Sequence, residues 1–487
     1  MPLQSRIDSS TAAANMAELE PAYTKQQAKV EANRCLFCFD APCITACPTG
    51  IDVPAFIKKI SSDNLTGAGR IILEANVLGG SCARVCPTKE LCEGACVLLD
   101  RDEQPIKIGR LQRTATDFIF DHKLKVLKPG KSKSGKKVAL IGGGPSSVSC
   151  AAELVQLGHE AVVFEKKPQA GGLNTYGIAY YKLTPQISLD EIEMVKELGV
   201  EFRCGIEVGK DISMEEILET YDAVFLGPGL GKARSLGIPG EDLPEVFEAL
   251  QFIEKFHTNP LHEVAVGKHA VVIGAGNTAI DAVSQAKRLG AEASTIVYRR
   301  GEAQMPAYDF EYDLAKKDAC EFVFNAAPLE ILESDGAVSG IRLIRTDIDG
   351  EGNLIQIAGS EFELPCDMVL KASGQSKQIA LLQKLLPDLS LDSAGRIKID
   401  SKTGRTSNPK VYAGGDATNG GREVVNAVAE GKKAAHAMHE SFTGESTEGP
   451  VQPSRLGAIG SPIGSGFDNP VRVSELEAAY HANQTGK

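Results

Sequence analysis

Through much of the first 125 positions apolar residues return at helical spacing, most clearly over residues 108–120, and Thr24 or its polar neighbours are placed to open an early helix. The periodicity stops after Leu127. Residues 122–137 are basic and carry Pro129, Gly130 and Gly135, which predicts a linker and a domain boundary. Beyond it the apolar positions gather into short β-branched runs that alternate with helical stretches. Lys137–Ile141 predicts a strand, 148–157 a helix and 160–164 a second strand ending at Glu165. The same order returns at 268–273 (strand), 281–289 (helix) and 294–298 (strand), closed by Arg299 and Arg300. Two further strand-to-glycine crossings, at 224–231 and 369–374, and a third glycine-rich segment at 411–416 that opens a helix over 424–438, complete the pattern.

Each strand–helix–strand repeat has glycines at its first turn. Gly142, Gly144, Pro145 and Ser146 stand at one, and Gly274, Gly276, Asn277 and Thr278 at the other. Glycine permits the tight turn and lets backbone N–H groups approach a pyrophosphate at the helix N-terminus, so two dinucleotides are expected. The ends of the second strands separate them. Glu165 repels a 2′-phosphate and suits an unphosphorylated ribose, whereas Arg299 and Arg300 suit a 2′-phosphate. The arrangement resembles that of two-dinucleotide flavoproteins, which implies FAD at the first unit and NADP(H) at the second. Gly172 follows the first repeat, and Gly415, Asp416 and Val424 bring the chain back to the flavin at its ribityl chain and pyrimidine end.

Eight of the twelve cysteines fall between Cys35 and Cys96, in the runs Cys35-x2-Cys38-x4-Cys43-x3-Cys47-Pro48 and Cys82-x3-Cys86-Pro87-x4-Cys92-x3-Cys96. Thiolates this dense suit iron–sulfur clusters, whose irons take soft anionic sulfur ligands. Structural zinc is the rival, although the first run contains no histidine. A disulfide framework fits poorly with 487 residues and a start that lacks the apolar segment of a secretory signal. A net charge of −12 argues against a nucleic-acid partner, and no apolar run reaches membrane-spanning length, so a cytoplasmic protein with no membrane contact is expected.

The motifs RCLFCFDAPCITACPTGIDVPAFI, GGSCARVCPTKELCEGAC, ALIGGGPSSVSCAAEL, VVIGAGNTAIDAV with YRRGEAQMPA, and YAGGDATNGGREVVNAVAEGKKAA together resemble the electron-input half of dihydropyrimidine dehydrogenase and the related glutamate synthase small subunit, over roughly residues 25–442. The resemblance implies an α+β multidomain fold. An all-helical iron–sulfur domain (1–130) would precede two Rossmann-like domains, one for FAD (136–265 and 373–445) interrupted by one for NADPH (266–372), with a C-terminal tail at 446–487. It also implies two 4Fe-4S clusters, one held by Cys35, Cys38, Cys43 and Cys96 and the other by Cys47, Cys86, Cys92 and Gln112, which leaves Cys82 a packed thiol. Gln112 lies sixteen residues after Cys96, as in dihydropyrimidine dehydrogenase. YRRGEAQMPA stands closer to glutamate synthase, and in the loop GGLNTYGIAYYKLT an alanine, Ala179, replaces an expected proline while Lys182 is the surviving base at the cofactor.

The function so implied is oxidation of NADPH with transfer through FAD and both clusters to a partner subunit, because no residues remain for a substrate-binding barrel. No catalytic acid or base is expected, since hydride transfer needs none. The partner would be an FMN-containing pyrimidine reductase or a glutamate synthase large subunit, and the alternative is a stand-alone NADPH diaphorase or ferredoxin reductase.

Overall fold

The computed structural model describes residues 3–445, and the tail expected at 446–487 lies outside the described residues. The chain divides into two compact units. The larger comprises Glu20–Gly172, Gln186–Gly229 and the described residues from Ile379 onward; the smaller comprises the described residues up to Leu19, Leu173–Pro185 and Leu230–Gln378.

In the larger unit the early segment is helical, as expected. Its main helices are α1 (Lys25–Ala32), α2 (Val53–Ser61), α3 (Leu65–Ala75), α4 (Gly79–Val85) and α5 (Ile108–Asp121). Thr24 opens α1 through a reciprocal capping box with Gln27, and Asp52 and Asn64 cap α2 and α3, so backbone donors are satisfied where each helix begins. The apolar faces of α2, α3 and α5 meet around Phe56, Ile57, Ile72 and Leu111.

The chain then runs through β1 (Lys137–Ile141), α6 (Pro145–Gln156), β2 (Glu160–Glu165), α7 (Pro185–Leu198), β3 (Glu201–Cys204) and β4 (Ala223–Leu226). The smaller unit contains β5 (Val246–Glu248), α8 (Ala249–Thr258), β6 (His269–Ile273), α9 (Asn277–Arg288), β7 (Ala293–Tyr298), β8 (Glu321–Phe324), β9 (Ala326–Ser334), β10 (Ala337–Ile348), β11 (Leu354–Gln356), β12 (Phe362–Leu364) and β13 (Met368–Lys371). The chain returns to the larger unit with β14 (Val411–Ala413) and α10 (Val424–Thr443). Two five-stranded parallel sheets result, in the orders β14-β4-β1-β2-β3 and β5-β13-β6-β7-β8, while β9 to β12 form an antiparallel ribbon. Parallel strands covered on both faces read as unbroken apolar runs, which is why β1, β2 and β6 stand out in the sequence.

The observed units depart from the expected boundaries in three places. β5 pairs with β13, so the inserted unit begins at Leu230 instead of residue 266 and runs to Gln378 instead of 372. The first nineteen residues leave the helical domain: Gln4 forms a bridge with Val266, and Asn15 Nδ2 donates to the Arg288 carbonyl at 2.8 Å. The helical domain is also not separate from the first sheet. Leu73, Val77, Leu78 and Ile119 share one core with Val138, Leu140, Val163 and Phe225, and Val126 and Leu127 of the expected linker are buried in it. The basic composition of 122–137 concealed those two anchors.

Polar ties reinforce this core. Lys432 on α10 donates to the Glu74 carbonyl at 2.8 Å. Glu191 on α7, fully buried, accepts from the Ser81 N–H at 2.8 Å and the Ser81 hydroxyl at 2.5 Å in the first turn of α4. Burial pushes its carboxyl up from the ordinary 4.5 to about 7, against the Ser81 hydrogen bonds and the Arg84 charge. The folded chain therefore binds the extra proton between about pH 4.5 and 7, and stability falls as pH rises through that window and levels off above it, by about 3 kcal/mol in all. Thermal melts at about pH 5 and pH 8 test this. The wild type should lose more stability across the interval than Glu191→Gln, whose neutral amide still bonds Ser81; parallel pH profiles would contradict the assignment.

Candidate functional site

Two glycine loops are built alike. In the first, Gly142 leaves β1 at φ +90°, and a Cβ there would lie 2.5 Å from the Gly227 carbonyl oxygen just past β4. In the second, Gly274 leaves β6 at φ +127°, and a Cβ would lie 2.3 Å from the Ala372 carbonyl oxygen just past β13. Only glycine fits between strand and crossing strand at either place. Gly144 and Gly276 differ from these, since nothing stands within 4 Å of a Cβ on either. They leave an open approach to the first turns of α6 and α9, where free N–H groups suit a pyrophosphate. Pro145 occupies the first turn of α6, a position whose N–H would have had no helical partner. In the second loop Asn277 Oδ1 accepts the Tyr308 N–H at 3.1 Å, Ala307 N–H donates to the Ala275 carbonyl, and Thr278 stands in the first turn of α9.

Glu165 closes β2 as expected and also braces the loop. Its Oε2 accepts the Gly143 N–H at 2.6 Å and its Oε1 the Lys167 N–H at 2.7 Å, which leaves one lone pair on each oxygen for ribose hydroxyls. Gly172 turns at φ +58°, where a Cβ would meet the Gly144 Cα at 2.8 Å. Gly415, at φ +72°, lies against Ser146, so the third glycine segment reaches the first loop. Asp416 accepts the Arg422 N–H at 3.3 Å, and Val424 begins the twenty-residue α10. α10 passes α6 closely, because a Cβ on Gly431 would fall 2.0 Å from the Ser146 carbonyl oxygen. These glycines, the engaged Glu165 and the open helix start form a cradle that fits a dinucleotide.

At the second loop Arg299 is exposed and Arg300 half-buried. Their carbonyls are pinned by the Thr346 hydroxyl and the Asn325 N–H, while neither guanidinium forms an ion pair among the described residues. Lys182 departs from expectation. Its ammonium is buried against Asp281 at 2.6 Å and Glu311 at 2.5 Å. Burial works against the charge, but the Asp281 carboxylate and its neighbours outweigh it and hold the ammonium protonated. Lys182 thus fastens segment 173–185 to α9 with both nearby carboxylates engaged.

Cys35, Cys38, Cys43 and Cys96 line one small cavity together with Leu36, Ile57 and Leu98. Burial and the neighbouring thiols push Cys43 up to about 12, and burial pushes Cys35 to about 11. Bare thiols so crowded keep their protons, whereas iron would hold them as thiolates. Cys47, Cys86 and Cys92 form a second group. The Cys86 thiol is raised by a hydrogen bond with Cys82, by burial and by the charges of Cys82, Cys47 and Cys92, and Cys92 is raised by burial and by Glu93 and Cys47. Among the described residues no three His, Cys, Asp or Glu side chains converge on a single-ion site. The donor set is all sulfur and the first cavity is ringed by four thiols, which fits a four-iron cube there. Gln112 is buried, and its Nε2 donates to the Gly79 carbonyl at 2.7 Å, which orients the amide at the start of the α4 segment leading to Cys86. Cys82 lies within hydrogen-bond reach of Cys86, so it is closer to the second group than a merely packed thiol.

Sequence reading missed Glu430. On α10 it accepts the Gly415 N–H at 2.6 Å and bonds Thr418 and Asn419, holding the third glycine turn in place. Its helix carries other polar residues, among them Lys432, Lys433, His436 and Glu440, so nothing local marked Glu430 out in the sequence.

Known proteins agree with this architecture. A family profile described as dihydropyrimidine dehydrogenase domain II, 4Fe-4S cluster, matches residues 12–124, and one described as pyridine nucleotide-disulphide oxidoreductase matches 136–431. The chain is similar to the glutamate synthase [NADPH] small chain of Escherichia coli, 36% identical over 86% of this chain and 93% of the relative. It is also similar to the NAD-dependent dihydropyrimidine dehydrogenase subunit PreT of the same organism, 33% identical over 91% of this chain and 99% of the relative. Among solved structures, Mycobacterium tuberculosis FprA in complex with NADPH matches 66% of this chain and 89% of its own with a TM-score of 0.51 at 23% identity, a likeness of fold.

The thiol geometry carries a quantitative expectation. Anaerobically purified protein should contain about eight iron and eight acid-labile sulfide per chain, the sum of two four-iron clusters. About four of each would leave one thiol group empty, and bound zinc without sulfide would contradict the cluster assignment.

Proposed function

This chain belongs to the pyridine nucleotide-disulphide oxidoreductase family, and from that premise we propose that it is the electron-input subunit of a larger reductase, oxidising NADPH and passing single electrons to a catalytic partner. The observation that carries the reading is the placement of both thiol groups in the same compact unit as the Gly142–Gly144 loop, with the thiols packed on the helical core around Phe56 and Leu111 and the neighbouring helices α3 and α5 buried in the core of the first sheet. The chemistry a bound flavin supplies is the conversion of a two-electron hydride into the single electrons that iron–sulfur clusters carry.

The side chains orient and select. Glu165, engaged by two backbone N–H groups, disfavours a 2′-phosphate at the first loop, and the start of α10 offers partial positive charge to the flavin's pyrimidine end. Arg299 and Arg300, without carboxylate partners, are available to a 2′-phosphate at the second loop. No proton donor or acceptor is assigned, because hydride transfer requires none. Among the described residues no helix is long and apolar enough to cross a membrane.

The partner is read from Gln112. Gln112, sixteen residues after Cys96 and buried with its amide bonded to the Gly79 carbonyl, stands at the sequence position of the dihydropyrimidine dehydrogenase pattern, so the favoured partner carries FMN and reduces uracil or thymine. Glutamate synthase is the second reading, supported by the higher identity of its small chain, 36% against 33%. Reconstitution with each candidate partner separates them. The favoured reading expects uracil-dependent NADPH oxidation, and Gln112→Ala should lower it while flavin content and NADPH oxidation by a small flavin-level acceptor persist. Turnover only with 2-oxoglutarate and glutamine would transfer the assignment to glutamate synthase, and NADPH oxidation with neither partner would leave a stand-alone diaphorase.

Coenzyme choice is tested separately. Replacing Arg299 and Arg300 by Ala removes up to two charge-assisted contacts of about 1.5 to 3 kcal/mol each, so kcat/KM for NADPH should fall by about ten- to several-hundredfold with NADH nearly unchanged. Equal losses, or a wild-type preference for NADH, would contradict the assignment.

A further inference from the structure

Among the described residues ten large apolar side chains are exposed; three of them lie on the short stretches that carry the first thiol group, and a fourth, Val30, lies on α1 just before it. Val30 is 57% exposed, Leu36 49%, Phe39 49% and Leu99 42%. Leu36 and Phe39 each directly follow a cysteine of that group, and the Leu99 N–H donates to the Cys96 carbonyl. Leu36 also lines the cavity that the four thiols share. Apolar exposure concentrated beside a redox centre calls for a cover.

We propose that this apolar face over Cys35, Cys38 and Cys96 is where electrons leave the chain, and that its occupant is an electron-accepting protein with an apolar contact centre and a ring of lysine or arginine. The inference rests on the cluster reading above and names the docking surface for it. Charge selects the occupant. Asp40, Asp100, Asp102 and Glu103 are all exposed on the same two stretches, against the cation Arg101, with Lys58 near by over the Phe37 ring and Arg34 paired with Glu31. A second copy of this chain would bring a like acidic rim against this one across a twofold axis, which repulsion disfavours; a basic rim is attracted. The helix α4 that leads to Cys86 of the second group is held in its first turn by Glu191 of α7, and Leu78 at its start joins the core of the first sheet.

Oxidised cytochrome c, a lysine-ringed protein with an exposed haem edge, is the probe, used anaerobically with NAD(P)H and the full chain, with menadione as a small neutral acceptor for comparison. Wild-type protein should reduce cytochrome c at a rate that falls as salt is added. Phe39→Ser/Leu99→Ser should lower that rate by about fivefold or more, and Asp100→Lys/Asp102→Lys should lower it and remove the salt dependence, both with iron content and menadione turnover unchanged. The proposal is overturned if both variants reduce cytochrome c at the wild-type rate, if iron-loaded wild type turns over menadione but not cytochrome c, or if the wild type is a dimer that Phe39→Ser/Leu99→Ser makes monomeric. Wild type without iron, or inactive with menadione, would instead refute the underlying electron-input reading.

Discussion

One hydrophobic core joins the helical segment, through α3, the start of α4 and α5, to the β14-β4-β1-β2-β3 sheet, and the rest of the larger unit depends on it. Electron transfer between buried groups tolerates little drift in their separation, so a redox chain cannot hang on a loose linker. Leu73, Val77, Leu78 and Ile119 from the helical side interlock with Val138, Leu140 and Phe225 from the sheet, and Val126 and Leu127 close the passage between them. Burial of such side chains contributes about 1.5 to 3 kcal/mol each, against a single surface ion pair worth less than about 1 kcal/mol. Polar groups then set the register. Glu191 holds the first turn of α4, and Lys432, itself paired with Glu153 at 3.3 Å, holds the end of α3.

The two glycine loops share one backbone device, and in the proposed reading they are given two specificities. Gly142 and Gly274 solve the same steric problem, a strand end pressed against the carbonyl of a crossing strand. The ends of β2 and β7 then part company through charge. Glu165 turns inward and is held by backbone N–H groups, while Arg299 and Arg300 have only their carbonyls held, so the guanidiniums remain available to a ligand.

Much of this was legible in the chain itself. The cysteine runs and glycine turns depend on local spacing, as do the helical start, both β–α–β repeats and the return near residue 411. Boundaries were less legible because they depend on long-range pairing. Val246–Glu248 is too short to announce itself as a strand until β13 lies beside it, and nothing local in the first nineteen residues says that Gln4 meets Val266. Lys182 could be read as a cofactor base only while Asp281 and Glu311, about a hundred or more residues away, were not known to surround it. Glu191 and Glu430 were missed for a related reason: a single acid engaged by a distant part of the chain leaves no periodic trace.

The central claim is that nicotinamide-derived electrons have somewhere to go within this chain beyond the flavin. Anaerobic reductive titration, with electrons counted per chain and paramagnetic signals recorded at low temperature, tests it most directly. The account predicts uptake of about four electrons, two by flavin and one by each cluster, with iron–sulfur signals growing as the last are taken. Uptake that stops at about two, with only flavin bleaching, would contradict it.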